Sequence, residues 1–286
     1  MSDYIDPADS ISEAWLRTLE HVQEAGGYAI NVMSTVTDPL APEVPGIRAA
    51  VDAVLDGGNR AGTRVQEVDT VAGTIFPSDL YVDPHLVYSS DLDDADTKRL
   101  DLAASDLYEA YLDMLPVLVT DPANARGTYF GRMISWPGKT GGGRNQLADR
   151  VTTLRRAHDL NQRKRNLEDI VIGGEGEGLI EDSLAGVQVY AASDRRSRGF
   201  PCLVHIDLTV FDGRLSMAAV YRHQYLVTKA YGNLLGLSRL LGFLAQHSGY
   251  AVGELVVHAT MADTEQGTYT KTGLTDLITA ARTATA

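Results

Sequence analysis

Between Gly199 and Asn233 the chain carries its only cysteine, Cys202, then the pair Tyr221-Arg222, then Lys229-Ala230-Tyr231-Gly232-Asn233. A cysteine acts as a nucleophile through its thiolate, and a neighbouring guanidinium favours that form by lowering the thiol pKa. The intervening residues say how Arg222 reaches it. From Leu203 to Phe211, Val204, Ile206, Leu208 and Val210 alternate with His205, Asp207 and Thr209, the period-two mark of a half-buried strand. Asp212-Gly213 is a two-residue hairpin signal, because both residues tolerate the positive φ of a primed turn. A second strand, Arg214 to Arg222, then folds back and returns Arg222 to the neighbourhood of Cys202. A lone cysteine is most often buried and inert; Pro201 and the hairpin arginine favour the nucleophile.

Pro201-Cys202, Asp212-Gly213-x-Leu215-Ser216-Met217, Tyr221-Arg222 and, eleven residues after that arginine, Asn233 resemble the active-site core of thymidylate synthase. A long apolar helix and Gly249-x-x-x-Gly253-Glu254 continue the likeness in order. Upstream, Gly127-Thr-Tyr-Phe-Gly131-Arg-Met-Ile-Ser-Trp136-Pro137, followed by Asn145-Gln146-Leu147, is similar to the family's tyrosine-glycine and tryptophan-proline segment and the helix after it. The resemblance runs from Tyr129 to Glu265 with gaps. It implies an α/β (α+β) fold of the thymidylate synthase type, a mixed or antiparallel sheet with flanking helices that forms a homodimer through the sheet.

The activity it implies is methyl or hydroxymethyl transfer to C5 of a uridine-type nucleoside monophosphate, in modified-nucleotide or natural-product metabolism. Addition of the Cys202 thiolate to C6 turns C5 into an enolate-like nucleophile, splitting one hard reaction into two easier ones. The one-carbon donor in the family is 5,10-methylenetetrahydrofolate; no metal is implied. Tyr129 joins Cys202 and Arg222 among the catalytic residues, and Arg222 serves the thiolate or the 5′-phosphate. Asn233 both donates and accepts through one amide, matching the O4 and N3–H edge of uracil, whereas an aspartate would favour cytosine. Arg155 and Arg156 stand in the region from which a pair of family arginines crosses the dimer interface to a phosphate. Gln224, Asp263 and Glu265 complete the expected nucleotide-binding set, and Trp136 stands on the cofactor side.

Departures fall among the ligand-binding positions. Arg222-His223-Gln224-Tyr225 stands where the family has arginine-serine-x-aspartate, so His223 replaces a phosphate-binding serine and Tyr225 a pterin-binding aspartate. Lys229 replaces a glycine, and at a helix start it opposes the dipole, which suits an anion-binding role. The family's ribose-binding histidine and tyrosine are absent from Ala262-Asp263-Thr264-Glu265, as is its apolar closing tail. These changes imply a divergent member in which folate binds more weakly than nucleotide. The alternative is a non-catalytic nucleotide-binding or interaction protein on the same scaffold.

With 286 residues and 44% hydrophobic content, the chain can bury a full core. It reads as one domain over 1–286, divergent over 1–60 and best matched over 127–265. A formal charge of -13 and a pI near 4.9 argue against long nucleic acid, whose affinity rests on neutralising phosphates. One cysteine forms no internal disulfide, the start lacks the basic and apolar regions of a signal peptide, and no apolar run reaches the length of a membrane span. A soluble, cytoplasmic protein with no membrane partner is expected.

Around this core the periodicity predicts helices over Ser10–Ala25, capped by Ser10 and stopped by Gly26-Gly27, and over Ile47–Leu55, stopped by Gly57-Gly58. A strand is expected from Tyr28 to Met33 and another, or a pair, from Thr63 to Ile75. Asp91 to Asp96 reads as a solvated helix start rather than a metal site. The helix that follows, Thr97–Leu115, carries Glu109 and Asp113, either of which can stand where the family keeps a general-base glutamate; ordinary exposure explains both. Gln146–Arg156 reads as a helix, and Arg155, Arg156, Arg163, Lys164 and Arg165 form a basic cluster, balanced between phosphate binding and a solvated helix end. Gly173 to Gly178 alternates with glutamate and has no phosphate-loop lysine. Arg195, Arg196 and Arg198 are alternative phosphate ligands after a strand over Gly186–Ala191. Helices over Ala230–Gln246 and Thr272–Thr283 flank a strand over Val252–Thr260.

Overall fold

The computed structural model describes residues 4–60, 65–121, 124, 127–136, 142–160, 187–188 and 202–284. The strands are β1 (Tyr28–Val36), β2 (Val187–Gln188), β3 (Leu203–Phe211), β4 (Arg214–Tyr221), β5 (Gln224–Tyr225) and β6 (Ala251–Asp263). They form one mixed sheet in the order β1-β6-β4-β3-β2, with β5 added in parallel to β6, and helices flank it. Arg163, Lys164, Arg165, the glycine run at 173–178, Arg195, Arg196, Arg198 and Pro201 lie outside the described residues, as does most of the strand expected at 186–191.

The chain divides into two compact units, each built from separated stretches. The first holds Met1–Gly73, Ala218–Arg239 and Gly253–Ala286. In it, Ser10 caps helix α1 (Ile11–Glu24) by accepting the Glu13 N–H, as its sequence predicts, and Gly26 and Gly27 follow at φ 97° and 96°. Trp15, fully buried, donates its indole N–H to the Leu226 carbonyl at 2.7 Å and meets Tyr231 edge-on. The Tyr231 hydroxyl bonds Ser12, whose oxygen accepts the Val44 N–H, so α1 is pinned at both ends of that segment. β1 pairs antiparallel with β6, Tyr28 opposite Asp263 and Val36 opposite Leu255.

Two expectations are corrected in this unit. Helix α2 (Pro45–Arg60) runs through Gly57 and Gly58 instead of stopping before them. A Cβ at Gly58 would lie 3.3 Å from the Val65 side chain and 3.5 Å from the Tyr269 hydroxyl, so this glycine sits in a packed part of the helix rather than at its stop. The stretch expected as strand over Thr63–Ile75 contains helix α3 (Val68–Gly73), with Val68, Val71 and Ala72 buried. Their i, i+3, i+4 spacing is helical, and packing overrides the β-branched composition.

The second unit holds Thr74–Met217 and Leu240–Val252. Helix α4 (Asp94–Leu118) starts on Asp93, which accepts the Asp96 N–H, confirming the acidic segment as a helix start. Leu100, Leu107, Tyr108, Tyr111 and Leu115 are buried, while Glu109 and Asp113 are exposed and Glu109 accepts from Ser105. Short helix α5 (Tyr129–Ile134) sets Phe130 among Phe76, Tyr108 and Tyr111. Helix α6 (Gln146–Asp159) is capped by Asn145. At the end of β3, Asp212 and Gly213 take φ 50° and 73°, the primed turn their sequence predicts. Helix α7 (Tyr231–Ser248) belongs to both stretches, with Leu234, Leu237, Leu241 and Leu244 buried as expected, and Gly249 at φ 84° ends it. Helices α8 (Gln266–Tyr269) and α9 (Lys271–Thr283) close the first unit, α9 packing on α2 and α1.

Candidate active site

The residues singled out from sequence fall into two groups, each within one unit. In the second unit, Cys202 is half-buried and precedes β3. Tyr129 opens α5, where Thr128 caps the helix by accepting the Gly131 N–H and is itself bonded by the Tyr111 hydroxyl. That cap aims the Tyr129 side chain inward. Its hydroxyl accepts the N–H groups of Cys202 at 3.2 Å and Leu203 at 3.4 Å, across a separation of 73 residues for the first. Burial, and then the neighbouring Cys202, push the Tyr129 pKa up to about 12, so the phenol keeps its proton. An oxygen that already accepts two amides holds that proton free to donate, beside the only thiol of the chain.

Trp136 is half-buried and pairs with Arg144 through two backbone hydrogen bonds of 2.8 Å. Gly143 makes that closure possible, since a Cβ there would sit 2.4 Å from the Trp136 carbonyl oxygen. Arg155 is engaged within the same unit: Nε donates to the His247 carbonyl at 2.6 Å, Nη1 to Asp101 at 2.7 Å, and the guanidinium lies 4.4 Å over the Tyr88 ring. Arg156, one position on, is exposed.

In the first unit, Arg222 is exposed at the end of β4, and His223 stacks on Tyr225 with ring centroids 4.4 Å apart. His223 Nε2 lies 3.4 Å from Asp263 Oδ2. Gln224 is buried opposite Ala262, and Tyr225 lies opposite Asp263. Glu265, at φ 59°, spends its carboxylate on the Val227 N–H at 3.0 Å and on the N–H and hydroxyl of Thr228, both at 2.8 Å. Burial raises its pKa against those bonds. These contacts cap a π-helical turn, Leu226–Ala230, that leads into α7. Such turns inside helical segments concentrate at functional sites.

Lys229, in that turn, bonds the Gln66 side chain. Asn233 is buried in the first turn of α7. Beside it, a Cβ on Gly232 would fall 2.7 Å from the Val68 carbonyl and 2.7 Å from Val71, so α3 and α7 touch backbone to backbone. The segment Gln66-Glu67-Val68 therefore runs next to the start of α7, an arrangement hidden by the strand expected there. The signal that exposes it is Gly232, a small residue at a helix start that packing rather than a turn requires. Among the described residues no cluster of histidine, cysteine or acidic side chains has the arrangement of a metal site, and no helix is long and apolar enough to cross a membrane.

Compared with known proteins, the chain matches no family model and no curated sequence. The chemistry on offer is a thiol beside a protonated phenol in the second unit. In the first it is a carboxamide, two cations and an imidazole–carboxylate pair.

Proposed function

We propose that the protein is a transferase acting at C5 of a uridine-type nucleoside monophosphate, of the thymidylate synthase and pyrimidine hydroxymethylase kind, by a cysteine adduct at C6. The observation that carries the reading is the Tyr129 hydroxyl on the backbone of Cys202: two residues from separate motifs, both assigned to catalysis by resemblance, are in hydrogen-bond contact. In this reading the Cys202 thiolate adds to C6 and makes C5 nucleophilic. Asn233 reads the O4 and N3–H edge, while Arg222 and Lys229 supply positive charge for phosphate.

A reduced folate, when bound, supplies the one-carbon unit that C5 attacks. The exposed Tyr225 ring suits stacking on a flat pterin but offers no carboxylate to its ring nitrogens, so folate is expected to bind more weakly than nucleotide. Tight folate binding without nucleotide, measured by calorimetry, would contradict this.

The test is mass spectrometry of the protein incubated with 5-fluoropyrimidine nucleotides, with and without methylenetetrahydrofolate. A covalent adduct in the wild type that is lost in Cys202→Ser supports the transferase. Nucleotide binding without any adduct instead supports a binding protein on the same scaffold.

A further inference from the structure

We propose that Tyr108, Arg155 and His247, inside the second unit, form a binding site for an internal water molecule that bridges the three side chains. Tyr108 is 8% exposed and His247 is fully buried. Tyr108 Oη, Arg155 Nη2 and His247 Nδ1 are each buried with no hydrogen-bond partner among the described residues. A buried polar group left unpaired is destabilising, and native structures pair such groups with protein or with ordered water. The three side chains are neighbours. Arg155 Nε donates to the His247 carbonyl at 2.6 Å, and Tyr108 and His247 pack on the same ring, Phe243, at centroid distances of 6.2 and 4.3 Å. The charge on Arg155 reaches both Tyr108 and His247.

The polarity of each orphaned atom follows from what surrounds it. Gln246 Nε2 donates to Asp83 Oδ1 at 2.7 Å and to the Leu86 carbonyl at 3.0 Å, which turns Oε1 of the same amide towards Tyr81. The Tyr81 hydroxyl has one proton and donates it to that Oε1 at 3.0 Å. Its oxygen, 2.8 Å from His247 Nε2, therefore accepts the Nε2–H. Burial, more than the Arg155 charge, keeps the imidazole neutral, so Nδ1 carries a lone pair. On Arg155, Asp101 takes Nη1 at 2.7 Å and the Tyr88 ring lies 4.4 Å from the guanidinium carbon. Nη2 faces the interior as a donor, Nδ1 is an acceptor, and Tyr108 Oη can be either.

A ligand at this place must accept from a guanidinium and donate to an imidazole. An anion meets only the first requirement and a metal cation only the second. Water meets both, and three polar partners are the usual number for an internal water. Its oxygen accepts the Arg155 Nη2–H, one of its protons goes to His247 Nδ1, and Tyr108 Oη completes the set. The guanidinium then serves the interior of its own unit rather than a phosphate.

The test joins a crystal structure of the full chain to one conservative variant. Ordered density within hydrogen-bond distance of Tyr108 Oη, Arg155 Nη2 and His247 Nδ1 is expected, and a dry contact there overturns the site. Tyr108→Phe should lower the melting temperature by about 2 °C or more, because the water loses a partner. Deleting an unpaired hydroxyl has the opposite sign, so a phenylalanine variant that melts at or above wild type overturns the bridge. Nitrogen-15 NMR of the imidazole should report Nε2–H with an unprotonated Nδ1; the Nδ1–H tautomer overturns the polarity that selects water. Formate that raises the melting temperature of the wild type but not of Tyr108→Phe would assign the site to an anion instead.

Discussion

A phenol that accepts two amide N–H groups does work that phenylalanine cannot. Tyr129→Phe leaves the Cys202 and Leu203 amides without that acceptor, and we expect stability to drop by about 1–3 kcal/mol. Urea denaturation measures this, and slower alkylation of Cys202 by iodoacetamide in the folded variant would tie the hydroxyl to the thiol as well as to the backbone. Asn233 carries a second residue-scale prediction. A site that matches one base edge leaves a donor or acceptor unpaired against the other, a difference of about 1–3 kcal/mol or roughly ten- to hundredfold in affinity. Uridine-type monophosphates should bind more tightly than cytidine-type ones, and Asn233→Asp should narrow or reverse the order. An unchanged ranking in competition binding would mean that Asn233 does not face the base.

Elements are positioned here by close approach as much as by periodicity. Gly232 lets α3 lie against the start of α7, and just ahead of α3 the Gln66 side chain bonds Lys229. Gly232→Ala gains about 1 kcal/mol of helix propensity. It also drives a methyl group into the Val68 carbonyl, and overpacking of this kind typically costs about 1–3 kcal/mol. The net result should be a lower melting temperature together with weaker nucleotide binding. An alanine variant that melts at or above wild type would show that α3 can move away freely. Glu265 plays a comparable part: its carboxylate joins the end of β6 to the π turn ahead of α7, which is a structural use of a residue expected from sequence to meet substrate.

At the scale of the whole molecule, stability is tied to pH through His247. Its ring is fully buried, stacked on Phe243, and its Nε2 meets the Tyr81 hydroxyl at 2.8 Å. Burial first, and then Arg155, lower its pKa from 6.5 to about 4. The unfolded chain therefore binds the proton more readily, so this contribution is complete above pH 6.5 and is lost as pH falls towards 4. The loss should reach about 3 kcal/mol, at 1.36 kcal/mol per pKa unit. Urea titrations across that range should show it, and His247→Gln should flatten the slope; an equal slope in the variant would assign the acid sensitivity elsewhere. The homodimer belongs to the proposal as well. Ile30 and Met261 face each other across β1 and β6 yet are 56% and 38% exposed, an apolar pair suited to a second copy of the chain. Sedimentation should report a dimer that Ile30→Glu weakens.

What the sequence determined by itself is local. The Ser10 cap, the Asp212-Gly213 turn, the alternation through β3 and the leucine face of α7 each depend on residues within a few positions, where sterics and hydrogen bonding act without help from the rest of the chain. The candidate chemistry-bearing residues were legible too, as types in a recognisable order, but their partners were not. Tertiary packing made a helix of a β-branched stretch at 68–73 and carried α2 through two glycines. It also placed Tyr129 on Cys202 and His223 beside Asp263. Those outcomes depend on contacts between residues dozens of positions apart, and such contacts are set by sheet register and by the volume available between elements, which hydrophobic periodicity does not record.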